Sequence, residues 1–424
     1  MSGPTTILFV IDAASVGTLE WMLQQNPTQE VHLPTLQKMG LGNLLGNEFK
    51  DRIPSTPRAN LAVALEQAST SPDSLIGHSE MMGVITKDSY DLFPQGFPPE
   101  FVNAAAKEVG CQFMFNRMAG GEEAIEQNHL QHTKTADVIL YASVCDPLVQ
   151  LAAHVDIVPP TILAEYANRF FRFSQQEGSN YGVRITRVIA RPYSGHLDAG
   201  LIRRTELRHD AVAPLDSRTL IDTLTDDGIW VAGVGKFPDL VLRNSYSAHF
   251  PNDGAGSTDH WAYVSKSDTN FRTFAATHRA IAEAKKQENG SVILVNLVDT
   301  DSKYGHPLNN KKVRESSTNW LRSLEAIDQN LSKVATEYLE RGDTIFVTAD
   351  HGMQRRKRED GVNDYYGFHW RNVVPFLGLK IGGGNIEQRG NRWSFTTVGR
   401  TIAYIHGAEA GYEQEVLSQN IFLG

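Results

Sequence analysis

The sequence predicts an α/β fold, with a mostly parallel sheet covered by helices on both faces and a smaller α+β domain inserted into it. Three observations lead there. Short apolar runs rich in Ile, Val and Phe read as buried strands. They alternate with stretches of helical period, as a parallel sheet requires. At 424 residues the chain is about twice what one core usually serves, which argues for more than one domain.

In chain order, residues 6–11 read as the first strand and run into Asp12. Residues 69–83, small and rich in hydroxyls, show neither strand nor helix period and read as a loop. The Pro-rich stretch Phe93-Pro94-Gln95-Gly96-Phe97-Pro98-Pro99 reads as a boundary. The expected division is therefore a discontinuous core, residues 1–94 and 214–424, and an inserted domain, residues 95–213. Within the insert, residues 137–142 and 183–190 read as strands and 162–173 as a helix. The core resumes with a strand at 229–234, a helix over 270–287, and a strand at 291–298 leading to Asp299 and Asp301. A second helix is expected over 316–341, capped from Ser316-Ser317-Thr318-Asn319 and stopped by Gly342. The strand at 344–348 then leads to Asp350-His351.

Composition excludes several classes. With 40 Lys and Arg against 49 Asp and Glu, the net charge is −9, unlike a protein that holds nucleic-acid phosphates. No run approaches the ~18 apolar residues of a membrane span. The apolar run 7–11 is interrupted by Asp12 and has no basic segment before it, so neither a signal peptide nor a span is expected. Cys111 and Cys145 are too few and too far apart for a disulfide framework, and are expected as reduced thiols of a cytoplasmic protein. Gly40-Leu41-Gly42 with Gly46 misses the dinucleotide fingerprint by one residue, and no P-loop motif occurs. The basic run Arg355-Arg356-Lys357-Arg358 reads as a solvated loop.

The chemistry gathers at strand ends. Asp12, Asp299 with Asp301, and Asp350 each follow an expected strand, and in a parallel sheet those ends share one edge, where α/β proteins bind ligands. One such carboxylate is often only a helix cap. Several together repel unless a cation lies between them. His306, His351 and His369 fall nearby, and mixed His and carboxylate donors suit Mn²⁺, Zn²⁺ or Fe²⁺. Any one of these histidines alone reads as a surface or helix-flanking residue; three Asp and three His together favour two metals. Ser74 is one candidate for a hydroxyl activated by a metal. The plainer alternative makes Asp73 or Ser74 a helix N-cap.

Several stretches, in matching order, resemble the phosphopentomutases of the alkaline phosphatase superfamily. The strongest are Asn296-Leu297-Val298-Asp299-Thr300-Asp301-Ser302-Lys303-Tyr304-Gly305-His306, Thr348-Ala349-Asp350-His351-Gly352 and Gly77-His78-Ser79-Glu80-Met81-Met82-Gly83. The resemblance runs over nearly the whole chain. It implies an alkaline-phosphatase-like core with a cap domain and two Mn²⁺ ions, one held by Asp12, Asp350 and His351, the other by Asp301, His306 and His369. The phosphate-accepting position, usually threonine in that family, corresponds to Ser74. Substrate contacts implied by similarity are Asp146, Ile189 and Arg204 of the cap and Lys236 of the core.

The implied activity interconverts (deoxy)ribose 1-phosphate and (deoxy)ribose 5-phosphate through a phosphoserine. The implied partner is thus a small phosphorylated sugar, and the sequence sets no oligomeric state. This sequence departs from the family in several places. The segment between Asp12 and Lys38 is shorter. One extra residue precedes Asp146, and two separate Arg191 from Arg204-Thr205. The family's Thr-Asp-His-Thr-Arg-Glu around His369 becomes Gly-Phe-His-Trp-Arg-Asn, which removes two acids that would orient metal ligands. Two other readings stand beside the mutase. One is a metal-dependent phosphatase, phosphodiesterase or mutase of the same superfamily acting on another phosphorylated metabolite. The other is a metal-stabilised binding protein without turnover.

Overall fold

The computed structural model describes residues 3–87, 90–143, 146–199, 201–204, 207–212, 217–241, 245–250, 269–305, 310–357, 363–370, 373–386 and 394–408. In chain order its strands are β1 (Thr5–Ile11), β2 (Leu61–Leu65), β3 (Phe113–Met118), β4 (Val138–Ala142), β5 (Leu148–His154), β6 (Arg187–His196), β7 (Leu201–Arg204) and β8 (His209–Val212). They continue with β9 (Trp230–Gly235), β10 (Ala248–Phe250), β11 (Ser291–Leu297), β12 (Thr344–Thr348), β13 (Gly352–Lys357), β14 (Asn363–Trp370) and β15 (Val374–Lys380). The chain divides into two compact units. One comprises Met1–Lys87, Leu215–Gly254 and Lys266–Gly424; the strands and helices of the other lie within Asp88–Pro214.

The first unit is built on a seven-stranded sheet of order β10-β9-β11-β1-β12-β15-β2. The five strands from β10 to β12 run parallel, whereas β15 and β2 are antiparallel to their neighbours. Every residue of β1, β11 and β12 is buried. Continuous burial means both sheet faces are covered, which explains why these strands read as unbroken runs of Ile, Val, Leu and Phe. The helix Thr269–Ala284 packs on β9 and β11, while Val16–Gln25 packs against Asn310–Lys333. Their inward side chains, Leu19, Phe274, Trp320 and Leu324 among them, join the strand residues in one core.

Three local expectations are corrected. The helix expected from 316 begins at Asn310, runs to Lys333 and closes in a π turn, Val334–Tyr338. Ser317 therefore caps nothing: its hydroxyl donates to the Arg314 carbonyl and accepts from Asn26 Nδ2. Gly342, at φ +106°, shapes the turn into β12 rather than the helix end. The stretch expected as a loop at 69–83 contains a helix, Ser74–Met81, with Asp73 as its N-cap accepting from Leu75 N–H. Arg355, Arg356 and Lys357 lie on β13, paired with β14, not in a loop.

The second unit has a six-stranded sheet of order β3-β4-β5-β6-β7, with β8 also paired to β6. Parallel and antiparallel pairs mix within it. One core gathers Phe93, Phe97, Phe101 and Phe170 with the sheet; the other places Ile125, Tyr141 and Tyr193 together. The Pro-rich stretch thus lies inside this unit, where Gly96 at φ +84° turns the chain and Phe93 and Phe97 are packed. Cys111 is a free thiol whose pKa is pushed up to about 12, by burial and then by Asp137, so it is a poor nucleophile. Among the described residues, no helix is long and apolar enough to cross a membrane.

Candidate metal centre

Three neighbouring strand ends supply the site. β1 lies between β11 and β12 in parallel register, with Val10 opposite both Asn296 and Thr348. Asp12 follows β1, Asp350 and His351 follow β12, and Asp301 lies in the short helix Asp299–Ser302 after β11. The sheet therefore delivers these side chains to one edge. Asp12, Asp350 and His351 are each wholly buried, and each offers a donor atom within 4.8 Å of the others. His351 Nε2 lies 3.3 Å from Asp12 Oδ1 and 3.6 Å from Asp350 Oδ2.

The surrounding backbone holds these groups at their far sides. Asp350 Oδ1 accepts from Ala13 N–H at 3.0 Å and His351 N–H at 3.1 Å. Ala13 occupies the left-handed region, at φ +60°, which is unusual for a residue with a Cβ. The Asp12 carbonyl accepts from the Thr300 hydroxyl at 2.6 Å, tying β1 to the segment after β11. His351 Nδ1 lies 3.1 Å from the Gly352 carbonyl oxygen. Only a protonated Nδ1 can donate there, which leaves the Nε2 lone pair facing the two carboxylates.

That arrangement is incomplete without a cation. Both Asp12 carboxylate oxygens and Asp350 Oδ2 are buried with no hydrogen-bond partner. Burial, followed by the charge of Asp12, pushes the Asp350 pKa up to about 7. Asp12 is pushed upward by burial and by Asp301, yet on balance it lies below its ordinary value, with the Lys236 charge among the causes. Lys236 Nζ is 3.9 Å from Asp12 Oδ2. Three orphaned oxygens around one imidazole lone pair fit a divalent ion, whose bonds to such donors are about 2.0–2.2 Å.

Ser74 sits at this edge. It is buried, it is the first residue of its helix, and its Oγ is 3.1 Å from His351 Nε2. The helix N-terminus adds partial positive charge near that oxygen. The helix approaches β12 so closely that a Cβ on Gly77 would lie 2.2 Å from the Asp350 carbonyl oxygen, so only glycine fits. One turn after Ser74, His78 lies 2.7 Å from the Ser74 carbonyl oxygen and 3.5 Å from Asp350 Oδ2, through Nδ1 in both cases. Its Nε2 is 3.1 Å from Asn296 Nδ2, and burial lowers its pKa to about 4.

Sequence reasoning quoted His78 and Asn296 without giving either a role. The spacing of Ser74 and His78 by four was the available signal, once 74–81 is read as a helix. Asp299, in the same short helix as Asp301, is engaged by Asn270: Asn270 N–H donates to its Oδ2, and its own N–H donates to Asn270 Oδ1.

The remaining expected residues are placed less fully. Asp301 is buried, and its charge acts on both Asp12 and Asp350. His306 lies outside the described residues. The main chain puts His369 on β14 opposite Met353, with its side chain outside the described part. In the second unit, Asp146 Oδ1 lies 3.8 Å from Arg187, and Ile189 is buried on β6 between Gln150 of β5 and Asp210 of β8. Arg204 ends β7 opposite Tyr193, its side chain again outside the described part.

Comparison with known proteins follows the same lines. A family model described as the Metalloenzyme superfamily matches residues 260–410, which include Asp301, Asp350 and His351. The phosphopentomutase of Thermotoga petrophila is 32% identical over 380 residues, 89% of this chain and 86% of that protein. The phosphopentomutase of Kosmotoga olearia is 31% identical over 399 residues, 91% of this chain and 90% of its own. Among solved structures, alkaline phosphatase from the Antarctic bacterium TAB5 aligns over 96% of this chain and 99% of its own, at 10% identity and a TM-score of 0.34.

Proposed function

The chain belongs to the phosphopentomutase family, and from that premise we propose that it interconverts pentose 1-phosphate and pentose 5-phosphate through a phosphoryl group carried on Ser74. The observation that carries this reading is the buried Ser74 hydroxyl, 3.1 Å from His351 Nε2 beside three orphaned carboxylate oxygens of Asp12 and Asp350. A pair of divalent ions, Mn²⁺ on the donor chemistry, would supply positive charge for the transferring phosphoryl oxygens and lower the serine pKa. Asp12, Asp350 and His351 would hold one ion, and Asp301, His306 and His369 the other.

The chain's own groups then have definite tasks. Phospho-Ser74 gives its phosphoryl group to the free hydroxyl of the bound sugar phosphate: the P–Oγ bond breaks, a P–O bond to the sugar forms, and the hydroxyl's proton passes to the freed Ser74 Oγ, a transfer the second step reverses. The resulting bisphosphate reorients. Ser74 Oγ then takes the other phosphoryl group, and the isomeric monophosphate leaves. The helix N-terminus at Ser74 favours the anionic forms of that oxygen. Lys236 adds a cation beside Asp12 that can follow a phosphate. Asp146, Ile189 and Arg204 are the groups assigned to sugar recognition by the family resemblance. The half-buried free thiol of Cys111 accords with a cytoplasmic enzyme.

Phosphorus NMR with ribose 1-phosphate tests the reaction. Ribose 5-phosphate is the expected product, and free phosphate as the sole product would move the protein to the phosphatase reading. Mass spectrometry of the turning-over enzyme should find phosphate on the peptide containing Ser74 and none in Ser74→Ala.

A further inference from the structure

His78 is fully buried and lies one helical turn after Ser74 on the same helix. Its Nδ1 is 2.7 Å from the Ser74 carbonyl oxygen and 3.5 Å from Asp350 Oδ2. Both are acceptors, so Nδ1 carries a proton. Its Nε2 is 3.1 Å from Asn296 Nδ2, an amide nitrogen that only donates. A ring nitrogen that receives a donor keeps its lone pair. The ring is therefore neutral, with one proton, and that proton points at the site. Phe237, edge-on at 5.0 Å between ring centroids, packs against the imidazole.

We infer that His78 is a positioning residue: its Nδ1–H holds Ser74 and Asp350 in their working orientations, and Asn296 sets the tautomer that makes this possible. The inference rests on reading Ser74 as the phosphoryl carrier. Asp350 Oδ1 is already fixed by two backbone N–H groups, whereas Oδ2 has no hydrogen bond. A proton on the His78 side limits rotation of that carboxylate and leaves Oδ2 aimed at His351 and Asp12. The opposite tautomer would set a nitrogen lone pair against the Ser74 carbonyl and the Asp350 carboxylate, pushing both away. Asn296 is a residue of β11 opposite Val10 of β1, so the central sheet itself dictates the tautomer.

The test uses full-length protein labelled with ¹⁵N-histidine, with the His78 signals assigned from His78→Gln. Two-bond ¹H–¹⁵N spectra report which ring nitrogen bears the proton. The expected wild-type result is a proton on Nδ1 alone; a proton on Nε2 overturns the inference. In Asn296→Asp the carboxylate can only accept, and Nε2 should become protonated. In the kinetic arm, His78→Leu should lower kcat and divalent-ion affinity by about 10–100-fold each, with KM for the sugar phosphate unchanged. His78→Asn, which restores an N–H donor near Nδ1, should recover most of both; equal losses in the two variants overturn the inference. Should His78→Leu fail to fold by circular dichroism, the wild-type and Asn296→Asp spectra decide alone. Full activity in Ser74→Ala would remove the carrier reading, an outcome distinct from any result at His78.

Discussion

Glycine 77 shows how far one side chain's absence shapes this protein. Its helix can lie against β12 only because no Cβ intervenes, and that contact sets the spacing between Ser74 and Asp350. Gly77→Ala must push the helix away from a backbone oxygen, which no rotamer change relieves. The expected loss is about 1–3 kcal/mol in denaturant unfolding. Metal affinity by calorimetry should fall with it, because the displaced helix carries Ser74 and His78. The N-cap is a separate lever: Asp73→Ala should destabilise by about 1 kcal/mol. At this scale Asp12, Asp350 and His351 were legible because strand ends announce themselves. The partnership of His78 with Asn296 was not, since 218 residues separate them.

At the scale of elements, legibility followed burial. Strands β1, β11 and β12 were readable because burial on both faces demands uninterrupted apolar runs. The helix Ser74–Met81 was not, for an opposite reason. It is buried nearly all round, yet by polar groups: Ser74, His78, Ser79 and Glu80 are all hidden and paired. Such a helix has no apolar stripe to betray its period. The helix Thr396–Ile405 offers a pH test. His406, its C-cap, sets Nε2 2.9 Å from the Thr6 hydroxyl of β1, and burial lowers its pKa to about 4. An unfolded histidine titrates near ~6.5, so the unfolded chain binds the proton first on acidification. This contribution to stability is complete above that value and is lost as pH falls from there towards 4. Urea midpoints across that window should decline less steeply in His406→Gln than in the unmodified protein.

For the molecule as a whole, the proposed site of Asp12, Asp350 and His351 would couple folding to metal. An ion that binds only the folded chain stabilises it by mass action. Calorimetry with and without chelator should show Mn²⁺ raising the unfolding temperature, and Asp12→Asn should lose most of that rise. With chelator present, Asp350→Asn should unfold at a higher temperature than the parent, because burial and the charge of Asp12 hold that carboxylate well above its ordinary range. Failure of Mn²⁺ to shift the parent would remove the metal reading. The bulk charge of −9 gave no hint of this local balance.

The strand order has a further consequence during synthesis. β1 precedes the other described strands, yet its sheet neighbours β11 and β12 begin only at Ser291 and Thr344. The described strands and helices of the second unit all lie within Asp88–Pro214, so they can pair among themselves before β11 is made. β1 must wait, an apolar segment without its flanking strands, until residue 348 has been made. The three donors can thus meet only once residue 351 has been made, so a shorter nascent chain would offer no such site to an ion.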